Sequence, residues 1–567
     1  MANKVYDRVP NFQGGMDAYK YAADLLPNQS QLLKNMVVMD NGRAVTRPGA
    51  DQVDSKPSTF SNINPAGAVQ GMAFLDNASG QFILQGQGGK LYSFNGTSWS
   101  NSLAFTLSNT VASVAMCQGI DKLLISDGIK AMQLWDGANF TACSTGATDT
   151  NAKNAPTGVT EISYIAGMFV CAGAAMQQGT GTGVQTFPSD ALIFSNYTPT
   201  GGAGKGSWNN ATNSFRVGNG NGEAIVALAP IQSTASSSPI YNLAVLKENS
   251  VWVLGIYPGT TTAEFDAMFT AFQQTPQGDQ VGTGIGCVGR NAWCSYQDDL
   301  LFMSQDGVQS LQRMQAAAGQ YRLTSPLSTP VQPYIDRINW AAASGIQAIK
   351  YRHLAIFFVP LDNSVTNNYA LVWDGRIGQW MIWTGWTPSA AIVTRYPNGV
   401  QYSVNGNHGL TQSGIQLVLG NSDGSITVWK DYNVLAGQDN TYLDNGKPII
   451  WQVNTRSMVF GSLDFQKKLQ AALIRFNQGN AQVNFSAWLD LADSDDWAQT
   501  VKPSGVVLPV ILPFVLGTSK PTQCYRRLEG LPYCNEFYLS FGAAGGWGDV
   551  RGIVAMAFQK RIQDPNA

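Results

Sequence analysis

Between about residue 68 and residue 435 the chain is written in short apolar runs set off by turn formers. GMAFLD (71–76), GQFILQG (80–86), KLLISDG (122–128), AMQLWDG (131–137), YIAGMFVCAG (164–173), DALIFSN (190–196), NLAVLKENSVWVLG (242–255), DDLLFMSQDG (298–307), HLAIFFVP (353–360), YALVWDG (369–375) and IQLVLGNSDGSITVWK (415–430) all follow this pattern. Runs this short, rich in β-branched and aromatic residues and bounded by Gly, Asn or Asp, predict strands. Helical periodicity is scarce. It is best over Tyr19 to Val38, where Pro27 interrupts it, and in a short piece near Tyr334–Trp340.

The strands recur in a loose repeat. LYSFNGTSW (91–99), LWDGANF (134–140) and VWDGRIGQW (372–380) share an aromatic strand end, an Asn/Asp-Gly turn and a returning aromatic. A spacing of about 40–50 residues with several strands per unit is that of β-propeller blades. The expectation is an all-β chain: a propeller of about five to seven blades over 61–435, carrying Gly-rich insertions. From 436 to 567 the runs lengthen and alternate with period two, as in IIWQVNTRSMVFG and GIVAMAFQKR. That predicts a separate β-sandwich or platform domain. Residues 1–60 read as an N-terminal arm or docking segment with little core of its own.

The densest aromatic stretch is YALVWDGRIGQWMIWTGW (369–386), with Trp373, Trp380, Trp383 and Trp386 around Asp374-Gly375. Asp-Gly suits a tight hairpin. On the returning strand Trp380 and Ile382 share one face while Met381 and Trp383 share the other. Apolar character on both faces predicts a core strand rather than a sugar platform. Trp386, beyond Gly385, is the one ring left for a subunit contact.

Composition narrows the class. Only 13% of the 567 residues are charged, 59 are glycine, and 35 basic residues face 37 acidic ones for a net charge of −2. Low charge suits a turn-rich β protein or a subunit covered by neighbours. Without a basic run, tight nucleic-acid binding through phosphate neutralisation is not expected. The opening MANKVYDRVPNF lacks a signal peptide's apolar core. The run GVVLPVILPFVLG (505–517) is too short to span a bilayer and is broken by Pro509 and Pro513; it reads as a buried or edge strand, with a membrane-touching loop as the alternative. Cysteines at 117, 143, 171, 287, 294, 524 and 534, with no CxxC, fit reduced thiols.

Motifs that suggest chemistry fail on context. Gly284-x-Gly286-x-x-Gly289 is followed by the strand-like RNAWCSY, so no helix N-terminus would meet a phosphate. Gly204-Lys205 lacks the remaining P-loop residues. Gly420-x-Ser422-x-Gly424 lies between two strands, not at a strand-to-helix elbow. His353 and His408 are the two histidines, in unlike settings, too few for a triad or a zinc site. Asp490, Asp493, Asp495 and Asp496 depart from calcium-loop spacing. Asp298 and Asp299, adjacent on a strand, point apart and poorly suit a glycosidase pair. No catalytic, cofactor-binding or metal-binding residue is assigned, and no cofactor is expected.

Several blocks together resemble a known family. Gly14-Gly15-Met16-Asp17, LLPNQSQLLKNMVV (25–38) and NGRAVTRPGA (41–50) are similar to the leading segment of the tail nozzle (tail tubular protein B-like) proteins of short-tailed bacteriophages. So are IFSNYTP to GNGNGEAIVAL (193–228), NLAVLKENSVWVLGIYPG (242–259), GTGIGCVGRNAW (282–293), DLLFMSQDGVQSL (299–311) and LSTPVQPYIDRIN (327–339), in that order. The resemblance covers roughly 12–60 and 190–430. It implies a non-enzymatic virion subunit, assembled in the bacterial host cytoplasm. Six copies would form a tube below the adaptor (head-to-tail connector) ring, contact tail fibres or spikes, retain the genome, and pass double-stranded DNA transiently without specific binding. No stable membrane insertion is implied. The alternative expectation is a tail propeller that binds host glycan through exposed aromatic rings; a glycan-cleaving propeller is the third.

Overall fold

A computed structural model describes residues 3–52, 67–95, 99–100, 103–119, 121–143, 154–179, 184–195, 208, 213–218, 221–233, 240–256, 264, 267–268, 270, 278–317, 325–395, 415–429, 442–461, 465–477, 483–489, 497–501, 522–527, 534–543 and 549–561. His408, the acidic cluster at 490–496, Lys205 and the run 505–517 lie outside the described residues.

The fold is all-β. Seven antiparallel sheets follow one another along the chain, their strands paired in consecutive order. Sheet one is Val69–Asn77, Gly80–Gln87 and Lys90–Phe94; sheet two begins with Ala115–Gly119 and ends with Phe140–Ala142. Sheet three runs from Glu161–Ile165 to Ser214–Arg216, and sheet four from Ile225–Ser233 to Asp279–Thr283. Sheet five is Trp293–Tyr296, Asp299–Ser304 and Gly307–Ser310, and sheet six runs from Gln347–Tyr351 to Gln379–Thr384. Sheet seven is Pro388–Arg395, Ile415–Asn421 and Ile426–Trp429, completed by the arm strand Ala50–Gln52. The first strand of each sheet packs against the first strand of the next, and that of sheet seven packs against that of sheet one. The seven first strands therefore follow one another around a ring.

Two larger sheets stand beside the ring. Arm strand Ser30–Lys34 meets the outer strand of sheet six in parallel at Lys34–Ile382 and pairs antiparallel with Trp451–Thr455. Phe537–Ala543, Val483–Leu489 and Trp497–Val501 continue that sheet. The other sheet orders Met36–Val38, Ala44–Thr46, Asp549–Arg561, Phe465–Asn477 and Thr522–Arg527, with Asn3–Val9 also paired to Asp549–Arg561. Alternation does what a half-buried strand requires: Ile553, Ala555 and Ala557 are buried, the residues between them less so. They share one apolar cluster with Val453, Leu539 and Phe541 of the other large sheet and with Phe12, Leu33 and Val37 of the arm.

Two local expectations are corrected, and the short helical piece near Tyr334–Trp340 is present as separate turns. Tyr19 to Val38 is not helical: only Ala22–Asp24 forms a 3-10 turn, and Ser30–Lys34 and Met36–Val38 are strands. Pro27 breaks the helix, and pairing with Trp451–Thr455, distant in sequence, outweighs the local periodicity. The hairpin at Asp374-Gly375 is not a two-residue turn. Strand Tyr369–Asp374 includes the aspartate, and Gly378, at φ +66°, closes a longer loop by donating to the Asp374 carbonyl at 2.8 Å. Near Tyr334–Trp340 the chain forms a helical turn, Gln332–Ile335, and a 3-10 turn, Trp340–Gly345. Among the described residues no helix is long and apolar enough to cross a membrane.

Candidate functional site

The tryptophan-rich stretch and the arm build one seam. Trp380, Met381, Ile382 and Trp383 are all buried. Trp380 donates through its indole N–H to Leu327 O at 2.9 Å, and Trp383 to Met36 O at 2.8 Å. Met16 N donates to Trp380 O at 3.2 Å and Asn35 N to Ile382 O at 2.7 Å. Gly15, at φ +62°, lies so close to Gln379 that a Cβ would fall 2.3 Å from that residue's own Cβ. Asp17 then caps the next turn, accepting from Tyr19 N and Lys20 N.

Arg47 locks this seam. Its side chain is fully buried, and all five N–H donors of the guanidinium are used. Nη1 and Nη2 grip the Asp444 carboxylate at 3.0 and 2.5 Å, Nε reaches Asn35 Oδ1 at 3.0 Å, and the remaining hydrogens meet Pro48 O and Thr384 O. The guanidinium lies 3.9 Å from the Trp386 ring centroid, a cation–π contact. Trp386 is only 7% exposed and also touches Trp383 and Trp429. The expectation that it stands free for a subunit contact is thereby corrected. Next to Arg47, Gly49 meets the backbone of Leu443; a Cβ there would lie 1.9 Å from Leu443 O.

A second buried network lies in sheets three and four. Asp190, fully buried, takes a two-point bond from Arg216 at 2.8 and 2.9 Å. Lys247, also buried, donates to Val217 O at 2.8 Å and Asn221 Oδ1 at 3.0 Å. Burial lowers the Lys247 ammonium's pKa, with Asp190 and Glu223 opposing.

Where the first strands begin, at one end of the ring, sheets two to five and the turn Trp340–Gly345 line an open cavity of about 830 Å³. Glu161 opens the first strand of sheet three, and Arg290 precedes that of sheet five. Arg290 Nη2 sits 3.2 Å from Glu161 Oε1, while Nη1 reaches Ser113 O and Oγ only at 3.5 Å. Burial pushes the Glu161 carboxyl up to about 8 against the opposing pull of Arg290. Asp127 at the same cavity spends both oxygens on Ser108, Ile129 and Lys130, which hold its carboxyl below the usual range even though burial raises it.

The motifs read from sequence scatter. Gly286 packs against Lys247 O and the backbone of Glu248, where a Cβ would meet atoms at 2.2–2.3 Å, and Gly289 approaches Ser344 O in the 3-10 turn Trp340–Gly345; this glycine string meets carbonyl oxygens rather than the N–H groups of a helix N-terminus. Ser422 lies in the hairpin between Ile415–Asn421 and Ile426–Trp429. Asp298 is exposed, whereas Asp299 accepts from Ser310 Oγ and Gln312 N at the start of helix Leu311–Ala317. His353 Nε2 lies 3.6 Å from buried Asp374, which Arg376 already holds at 2.8 Å. Burial lowers the imidazole's pKa. Cys143, Cys171, Cys287, Cys294 and Cys534 are buried thiols that form no disulfide. No group of three or more metal-ligating side chains occurs among the described residues. Sequence reading missed Glu161 and Arg290 altogether. The one local signal was a carboxylate opening an otherwise apolar strand.

No protein-family model and no curated protein matches the chain. Among solved structures it is similar to the computationally designed Ika8 protein, at 13% identity and TM-score 0.30, with 65% of this chain and 98% of that chain covered. It is similar to BBS1N in complex with ARL6DN at 10% identity and TM-score 0.36, covering 69% and 99%. A third is exo-beta-1,3-galactanase from Phanerochaete chrysosporium, at 9% identity and TM-score 0.21, covering 80% and 98%. At these identities and TM-scores the likenesses carry no argument about function or topology.

Proposed function

We propose that this chain is a structural subunit of a short-tailed phage tail, a nozzle protein built as a seven-bladed β-propeller with an adjoining β-sandwich. Two things support the propeller: the ring order of the seven first strands, and the arm strand Ala50–Gln52 that completes sheet seven. In this reading the subunit acts in the virion as a homohexamer below the adaptor ring. It contacts adaptor and fibre or spike proteins and passes double-stranded DNA without specific binding. It works as a wall rather than as an enzyme.

The observation that carries the reading is the meeting of the resembling blocks. Gly14 to Asp17, Asn35 and Arg47 of the arm close on the tryptophan-rich strand of sheet six. Leu327 and Ser328 of the LSTPVQ block join that strand to the QDGVQSL block: Trp380 bonds Leu327 O, Leu327 N bonds Val308 O at 2.8 Å, and Val308 N bonds Ser328 Oγ at 2.9 Å. Ala18 N adds a bond to Pro330 O at 2.8 Å. Segments that resemble one family thus serve one structural task, fixing the arm across ring and neighbouring sheets. Cryo-electron microscopy of particles carrying this gene product tests the proposal. Six copies around the tail axis below the adaptor are expected. Absence of the chain from purified particles, or its presence only at a peripheral spike, would overturn it.

A further inference from the structure

The cavity at the end of the ring has no part in the seam, and a wall protein does not require it. It holds about 830 Å³, far more than one water, and is lined by residues of sheets two to five and of the 3-10 turn Trp340–Gly345. Arg290 carries five donors but makes one bond shorter than 3.5 Å, to Glu161; its two approaches to Ser113 are at the limit of a hydrogen bond. Its fork therefore has donors left for an oxygen-bearing guest. Asp127 is saturated by Ser108, Ile129 and Lys130, while Glu248 is exposed at the rim. Trp340, half-buried, and Ile129, 64% exposed, add apolar surface to the same lining.

The charges select among guests. Burial keeps Glu161 a neutral carboxyl at pH 7, so an anion would face the Glu248 carboxylate and a cation would face Arg290. A neutral molecule with several hydroxyls can accept from the guanidinium, donate to the carboxyl oxygens, and lay its C–H face on an aromatic ring. We propose that this cavity binds a neutral saccharide unit, with Arg290 and Glu161 as its polar anchors and Trp340 as its apolar wall. The site is independent of the nozzle reading: ring formation and sugar binding are separate measurements, and either can fail alone.

The test is saturation-transfer NMR on the full chain with glucose, galactose, mannose, N-acetylglucosamine and their common disaccharides at millimolar concentration. Galacturonate and putrescine serve as charged probes. At least one neutral sugar is expected to receive saturation while the charged probes do not. Trp340→Ala, Glu161→Gln and Arg290→Lys should each weaken binding by about tenfold or more, in protein whose melting transition is retained. Arg290→Lys keeps the charge and removes the fork, so it separates anchoring from mere loss of a cation. Three outcomes overturn the proposal: no transfer to any neutral sugar, transfer only to a charged probe, or binding that survives all three substitutions.

Discussion

Arg47→Ala is the substitution the seam should tolerate least. It strips five hydrogen bonds from one fully buried side chain, leaves the Asp444 carboxylate, 16% exposed, with the Ala50 N–H donating to it but no cation, and uncovers Trp386. Removing one member of a buried ion pair costs about 3–5 kcal/mol, because the other charge stays behind without its water. The chain contains its own control. Arg337 grips Asp362 with the same fork, at 2.8 and 2.5 Å, yet those side chains are 42% and 50% exposed. Solvent screens that pair, so Arg337→Ala should leave stability nearly unchanged. The assay is urea unfolding read by tryptophan emission, since Trp383, Trp386 and Trp429 cluster at the seam. A chain of this length need not unfold in one step, so the transition reporting these rings is the one compared. Asp444→Ala combined with Arg47→Ala should cost less than the sum of the single changes, with a coupling of about 1–3 kcal/mol. A shift for Arg47→Ala no larger than that for Arg337→Ala, or strict additivity with Asp444→Ala, would refute the reasoning.

Other outcomes follow from the same geometry. Gly49→Ala would place a Cβ 1.9 Å from Leu443 O, so backbone must move, and a loss of about 1–3 kcal/mol is expected in the same urea assay. Glu161 holds its proton up to about 8 when folded but sheds it near its ordinary value of 4.5 when unfolded. The folded state binds more protons between those limits, so this group's contribution to stability falls as pH rises through them. Glu161→Gln should flatten that slope, which melting curves across the window would record. Burial pushes the Cys287 and Cys294 thiols up to about 12; mass spectrometry after brief alkylation should find both unmodified in native protein and modified in denaturant.

What the sequence made legible was local. Turn formers and β-branched runs located the strands, because both signals act over a few residues. The failures share one cause, partners far along the chain. Nothing in TRPGA indicates that Arg47 meets Asp444, 397 positions later. The periodicity of Tyr19 to Val38 gave no hint that Ser30–Lys34 would be claimed by Trp451–Thr455. Gly375 does lie in the turn, but what requires a glycine there is Tyr296, whose Oη would sit 2.0 Å from a Cβ. Glu161 and Arg290 come from different sheets, so no window holding one contains the other.

The four tryptophans of 369–386 make the same point from the opposite side. An outermost strand should be polar on at least one face, and several sheets obey. Phe140–Ala142 at the end of sheet two has no buried residue, and Asp279–Thr283 at the end of sheet four buries only Gly282. Gln379–Thr384 holds the same position in sheet six, yet its four central residues are buried. The difference is the strand beyond it. Ser30–Lys34 of the arm continues the sheet into Trp451–Thr455, so the last strand of sheet six becomes an interior one. Apolar residues on both faces are then required rather than hazardous. In sheets six and seven, whose last strands Gln379–Thr384 and Ile426–Trp429 are both buried and both paired by arm strands, the apolar outer strand marks where the repeat is joined to the arm. That join is also where the arm's Asn35 and Arg47 converge.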